Sequence, residues 1–135
     1  MKPYVFNVAE ITESCIKWIQ DWMQKNGNNE TKVVIGISGG KDSTVVAALC
    51  AKALGKERVL GVMMPNGVQP DISDSQKIVD LLQIPNLTIN INNAYTGLTE
   101  EIKTQMSLDT LSPQYLTNTP ARLRMTTLYG IGAII

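Results

Sequence analysis

Val33-Val34-Ile35-Gly36-Ile37-Ser38-Gly39-Gly40-Lys41-Asp42-Ser43-Thr44 is the stretch on which the fold of this 135-residue chain turns. Its first five residues are β-branched or glycine and nearly unbroken in apolar character, as in a central strand of a parallel sheet covered on both faces. Ser38-Gly39-Gly40 ends that run. Beyond it Val45, Val46, Leu49, Cys50 and Ala53 fall at helical spacing and predict the buried face of a helix. A strand that turns through glycines straight into a helix is the opening of a βαβ unit.

The same alternation extends both ways. Upstream, Ile11, Cys15, Ile19, Trp22 and Met23 recur at spacings of three and four and predict a helix over 8–26, stopped by Asn26-Gly27-Asn28-Asn29. Downstream, Val59-Leu60-Gly61-Val62-Met63 reads as a second strand. Residues 71–82 read as a helix, with Ser73 and Gln76 at capping-box spacing and Ile78, Val79 and Leu82 turned inward. Leu87-Thr88-Ile89-Asn90-Ile91 reads as a third strand, residues 99–106 as a further helix, and Asn118-Thr119-Pro120 as the start of a last one with Pro120 at its first position. Right-handed crossovers then give a doubly wound parallel α/β sheet with flanking helices. The chain is apolar from Leu128 to Ile135, which predicts that it is truncated at the C-terminus, inside a helix.

Composition narrows the chemistry. With 44% hydrophobic and 18% charged residues the chain is a packed single domain rather than a disordered one. Twelve basic residues balance twelve acidic ones, so no broad field is available to hold nucleic acid or a membrane surface. The sequence has no histidine, which removes Ser-His, Cys-His and His-metal chemistry. Cys15 and Cys50 form no CxxC pair, no signal-peptide core follows Met1, and no stretch is long enough to span a bilayer. A reducing, cytoplasmic setting is expected. Cys15 and Cys50 both fall on expected buried helix faces, Met63 and Met64 read as core, and the Trp18 and Trp22 pair as core or dimer surface.

The glycine loop carries the chemistry. Between a strand and a helix N-terminus, residues Gly36, Ile37, Ser38, Gly39, Gly40, Lys41, Asp42 and Ser43 present unpaired amides and the positive end of the helix dipole to an anion. The Ser38 and Ser43 hydroxyls add donors and Lys41 adds charge. The spacing is not that of a Walker A loop: only three residues separate Gly36 from Gly40, and Asp42 stands between Lys41 and Ser43. A carboxylate beside a phosphate nest is repulsive without an intervening cation, so Asp42 reads as a magnesium ligand. The plain alternative is a glycine-rich turn with Asp42 capping the helix.

These residues resemble the SGGxDS signature of the PP-loop ATP pyrophosphatases. Two more segments resemble the ammonia-dependent NAD synthetases within that group: Met64-Pro65-Asn66-Gly67-Val68-Gln69-Pro70-Asp71, and Asn118-Thr119-Pro120-Ala121-Arg122-Leu123-Arg124-Met125 with Tyr129 beyond. The resemblance implies an adenine nucleotide alpha-hydrolase-like, Rossmann-like fold, with 1–135 as a single, incomplete PP-loop ATP-binding domain. It implies a ligase of NAD biosynthesis that adenylylates deamido-NAD with ATP and Mg2+ and amidates it with ammonia, giving NAD, AMP and pyrophosphate. Lys41 and Asp42 would be catalytic, Asp42 the metal ligand, residues 36–43 and Gln69 the ATP contacts, and Arg122 the deamido-NAD contact. Arg124 would be structural.

The resemblance also implies a homodimer. The family's Thr-Asp-His-x-x-Glu segment does not occur in this sequence, so the resemblance implies activity in a longer parent and an inactive 1–135. Met63 stands where the family often has arginine. Another PP-loop pyrophosphatase, such as a tRNA-modifying enzyme, or a non-catalytic nucleotide-binding module are the alternatives.

Overall fold

A computed structural model describes residues 6–68 and 72–135. Three strands, β1 (Val33–Gly36), β2 (Val59–Met63) and β3 (Asn86–Thr88), form a parallel sheet in the order β1-β2-β3. Five α-helices flank it: α1 (Val8–Asn26), α2 (Lys41–Leu54), α3 (Ile72–Leu82), α4 (Asn92–Met106) and α5 (Pro113–Gly132).

Side chains alternate across the strands, so each strand feeds two cores. Val33, Ile35, Ile37, Val59 and Met63 join Ile19 of α1, Ala47, Cys50 and Ala51 of α2, and Val79 of α3 on one face. On the other, Val34, Leu60, Val62, Met64 and Ile89 pack against Leu123, Leu128 and Ile131 of α5. Helices on both faces of a parallel sheet are the architecture expected from the sequence. Ladder bonds run past the strand ends, with Ile37 N to Val62 O, Ile89 N to Met63 O and Ile91 N to Pro65 O each 2.9 Å. The third strand's pairing therefore reaches the Ile91 expected from sequence.

Several expectations are corrected. The buried stripe of α2 is Ala47, Cys50 and Ala51, whereas Val45 and Val46 are exposed. Small side chains let the helix lie close to β1 and β2, and the bulkier valines turn out. The capping box fails because Ser73 lies inside α3, and Gln76 donates to Asp80 instead, 2.9 Å away. The residue expected to open that helix, Asp71, lies outside the described residues.

Helix α4 starts at Asn92, seven residues before the expected Thr99. Its amide donates to the Asn90 side chain at 3.0 Å, and Tyr95 meets Tyr115 of α5 with ring centroids 6.2 Å apart. Helix α5 starts at Pro113, where the Ser112 hydroxyl accepts from Tyr115 N, and Pro120 is buried inside the helix rather than at its start. Both prolines follow a polar residue that can cap a helix, but only Ser112 makes the capping bond. The helix closes at Gly132 instead of running through Ile135.

Trp18 and Trp22 are 66% and 50% exposed, which removes their core reading. Cys50 is buried as expected, while Cys15 is half-buried. Among the described residues no helix is long and apolar enough to cross a membrane.

Candidate functional site

The loop after β1 folds on itself. Ser38 Oγ and Ser43 Oγ are 3.1 Å apart, the Gly40 amide donates to Ser38 Oγ at 3.3 Å, and the Ser43 hydroxyl donates to Gly40 O at 3.1 Å. The Thr44 hydroxyl donates to the same carbonyl at 2.8 Å. Gly39 holds φ +78°, a left-handed value that suits glycine. A Cβ there would lie 3.2 Å from both Asp74 Cβ and Ser75 N, so the loop is pressed against the start of α3.

Helix α2 begins directly after Gly40, and its amides from Lys41 to Ser43 have no carbonyl one turn back to receive them. They point the positive end of the helix dipole out of the loop. Gly40 is the N-cap and no side chain caps the helix, which removes the capping alternative for Asp42. Lys41 Nζ and Asp42 Oδ1 are 3.9 Å apart, and both side chains are more than 90% exposed. Such a solvated pair contributes little to stability and leaves both charges open to a ligand.

Beside the loop lies a cleft of about 480 Å³ at the C-terminal ends of β1 and β2. Gly36, Ile37 and Ser38 form one side, Met63, Met64 and Pro65 the floor, Ile72 and Ser75 of α3 a wall, and Ala121, Arg124, Met125 and Leu128 of α5 the opposite wall. Ligand sites in open parallel sheets sit at this end of the strands. Gly36 admits α5 to the cleft: a Cβ there would lie 3.1 Å from Met64 Cε and 3.4 Å from Leu128 Cδ1.

The rim after Pro65 is held by Asn90, whose Oδ1 accepts from the Gly67 and Asn92 amides at 3.0 Å each. Its Nδ2 donates to Gly67 O at 3.2 Å. Asn66 Oδ1 is buried with no hydrogen-bond partner.

The structure thus brings Gly36, Ile37 and Ser38 to the cleft and sets Gly39, Gly40, Lys41, Asp42 and Ser43 around the adjoining helix start. Gln69 lies outside the described residues. Arg122 is exposed in the middle of α5, not in the first turn of a helix as the sequence suggested, and it does not line the cleft. Arg124 lines the cleft and donates from Nε to Met64 O at 2.9 Å, so the residue read as structural is also part of the wall. The spacing of Ala121, Arg124, Met125 and Leu128 puts them on one helical face, a signal the sequence carried. Ser75 carried none. Cys50, on the buried face of α2, has its thiol pushed up by burial and does not line the cleft.

Residues 11–134 match the NAD synthase family model. The chain belongs to the NAD synthase family. Among curated family members, the NH(3)-dependent NAD(+) synthetase of Pyrococcus horikoshii is 39% identical over 118 residues, covering 87% of this chain and 43% of that protein. The NH3-dependent NAD synthetase of Campylobacter jejuni, solved with nitrate ion, superposes with a TM-score of 0.83 at 28% identity, covering 96% of this chain and 54% of that one. The NMN synthetase of Francisella tularensis superposes with a TM-score of 0.80 at 28% identity, covering 96% of this chain and 51% of that one. The chain spans less than half the length of the curated relatives it matches. The family resemblance read from the loop and the two later segments is therefore correct.

Proposed function

We propose that this chain is the ATP-handling part of a cytoplasmic, ammonia-dependent NAD synthetase that works as a homodimer. The observation that carries the reading is that a phosphate-type loop and an apolar, nucleoside-sized cleft share the residues Gly36, Ile37 and Ser38. The names of the relatives support the same chemistry. Residues 1–135 would form one PP-loop ATP-binding domain, incomplete by comparison with those relatives.

In this reading the nucleoside of ATP lies in the cleft, with Gln69 on its adenine side, and the departing pyrophosphate lies on the amides of residues 39–43. The Ser38 and Ser43 hydroxyls, 3.1 Å apart, each have a single proton, and on binding they exchange their bonds to each other and to Gly40 O for bonds to the pyrophosphate. Lys41 neutralises charge as the bond between the α and β phosphates breaks. Arg122, with its guanidinium in solvent, holds deamido-NAD.

Asp42 offers one exposed carboxylate, and among the described residues no cluster of three or more His, Cys, Asp or Glu gathers to cage a metal. Mg2+ fits such a site as the companion of ATP, whose phosphates and water complete its coordination. When bound it supplies positive charge to the leaving group. The carboxylate of deamido-NAD becomes an adenylate, and ammonia then displaces AMP to leave the amide.

The test uses a protein of full family length containing these residues, supplied with ATP, magnesium, ammonia and either deamido-NAD or nicotinate mononucleotide. NAD formation with release of AMP and pyrophosphate, abolished by Asp42→Ala with the fold intact, is the expected result. Turnover of the mononucleotide alone would move the protein to the NMN branch, as the Francisella structure's name suggests. ADP and phosphate as products, or ATP binding without turnover, would reject the reading.

A further inference from the structure

Ser75 has no task in the mechanism above, yet its surroundings are those of a ligand contact. It is a polar residue only 3% exposed, and it forms part of the cleft wall. The side-chain bonds of α3 join Gln76 to Asp80 and Lys77 to Asp74, and the Ser75 hydroxyl bonds to no other described residue. Ser75 shares the cleft lining with the apolar side chains of Ile37, Met63 and Ile72, where its hydroxyl is one of the few groups able to bond a polar ligand atom.

Its position says which ligand group it would meet. A Cβ on Gly39 would lie 3.2 Å from Ser75 N and 3.4 Å from Ser75 Oγ, so Ser75 touches the apex of the phosphate loop while facing the cleft. A nucleotide with its nucleoside in the cleft and its pyrophosphate on the loop has one group at that junction, the phosphate attached to the ribose. We propose that the Ser75 hydroxyl donates a hydrogen bond to the α-phosphate of bound ATP and retains it on the adenylate. This rests on the PP-loop reading above. The acceptor's carboxylate oxygen bonds to the α-phosphorus as the bridging bond breaks and its electron pair leaves with pyrophosphate. Ser75 only donates and transfers no proton.

Calorimetric titration of a protein of full family length containing these residues, and of its Ser75→Ala variant, with adenosine, AMP, magnesium-ATP and pyrophosphate tests the assignment. The variant removes one oxygen that bonds to no described residue, so its melting temperature should match that of the unaltered protein. AMP and ATP should bind about tenfold more weakly to the variant, as for loss of a hydrogen bond to a charged group. Adenosine and pyrophosphate should bind as before. In the unaltered protein, the Ser75 amide resonance should shift with AMP and stay in place with adenosine. Unchanged AMP affinity, equal weakening of AMP and adenosine, weakening of pyrophosphate alone, or a lowered melting temperature would each overturn the proposal. If the unaltered protein of full family length binds none of the four ligands, the PP-loop reading fails first and Ser75 with it.

Discussion

Arg124 of α5 donates from Nε to the carbonyl oxygen of Met64, 2.9 Å away and 60 residues earlier in the chain. Met64 is buried and the bond itself is part-buried, so solvent only partly replaces the guanidinium. Arg124→Ala should therefore lower unfolding free energy by about 1–3 kcal/mol, the cost of a buried carbonyl left without its donor. Urea unfolding measures it, and an unchanged midpoint would mean that the bond is made equally well by solvent.

Two residues away, Arg122 should behave in the opposite way. It is exposed, and its removal should change stability by no more than about 0.5 kcal/mol. In a protein of full family length, Arg122→Ala should raise KM for deamido-NAD tenfold or more while leaving that for ATP nearly unchanged, since a charge-assisted contact is worth about 1.5–3 kcal/mol. Equal effects on the two substrates would remove Arg122 from the acceptor site.

Gly39 and Gly40 should differ sharply when each is replaced by alanine. At Gly39 the φ of +78° and the backbone amide of Ser75 at 3.2 Å both oppose a side chain, so a loss of about 1–3 kcal/mol is expected, with weaker pyrophosphate binding. At Gly40 φ is −79°, and the new methyl would meet only the movable Ser38 hydroxyl at 3.3 Å. Thermal melts and pyrophosphate titrations of both variants check this; a milder Gly39→Ala than Gly40→Ala would contradict it.

Burial raises the Cys50 thiol above its ordinary value of 9.0. Below that pH the thiol is neutral in native and unfolded chains alike and costs nothing. As pH rises past it, the unfolded chain ionises first, so stability falls through the alkaline range. Cys50→Ala should flatten that part of the pH–stability curve. Thiol reagents at pH 8 should label half-buried Cys15 well before Cys50.

The parts legible in the sequence were those set by local signals. The β-branched run into Ser38-Gly39-Gly40 gave β1 and the start of α2, and the three-four spacing over 8–26 gave α1 with both its ends. What escaped was decided by partners distant in the chain. Val45 and Val46 look like core until the sheet demands small Ala47 and Ala51 against it. The early start of α4 depends on the Asn90 side chain and on Tyr115, sixteen residues beyond Thr99, whose hydroxyl lies 2.9 Å from that of Thr99. For the site, the loop announced itself because its chemistry is contiguous. Ser75 did not, because a lone serine in a helix acquires meaning only when Gly39 folds onto it.

The strand order β1-β2-β3 repeats the order of synthesis, and each strand lies beside the one made just before it. Every crossover closes a loop of modest length, so the first core, from α1 to α3, can assemble progressively as the chain leaves the ribosome. The second cannot. Leu123, Leu128 and Ile131 must return to Val34 and Leu60 from far downstream, so α5 docks later than α1 to α3. The cleft, walled on one side by α5, therefore comes into being after the loop, and a nascent chain carries its phosphate loop before it has a pocket beside it.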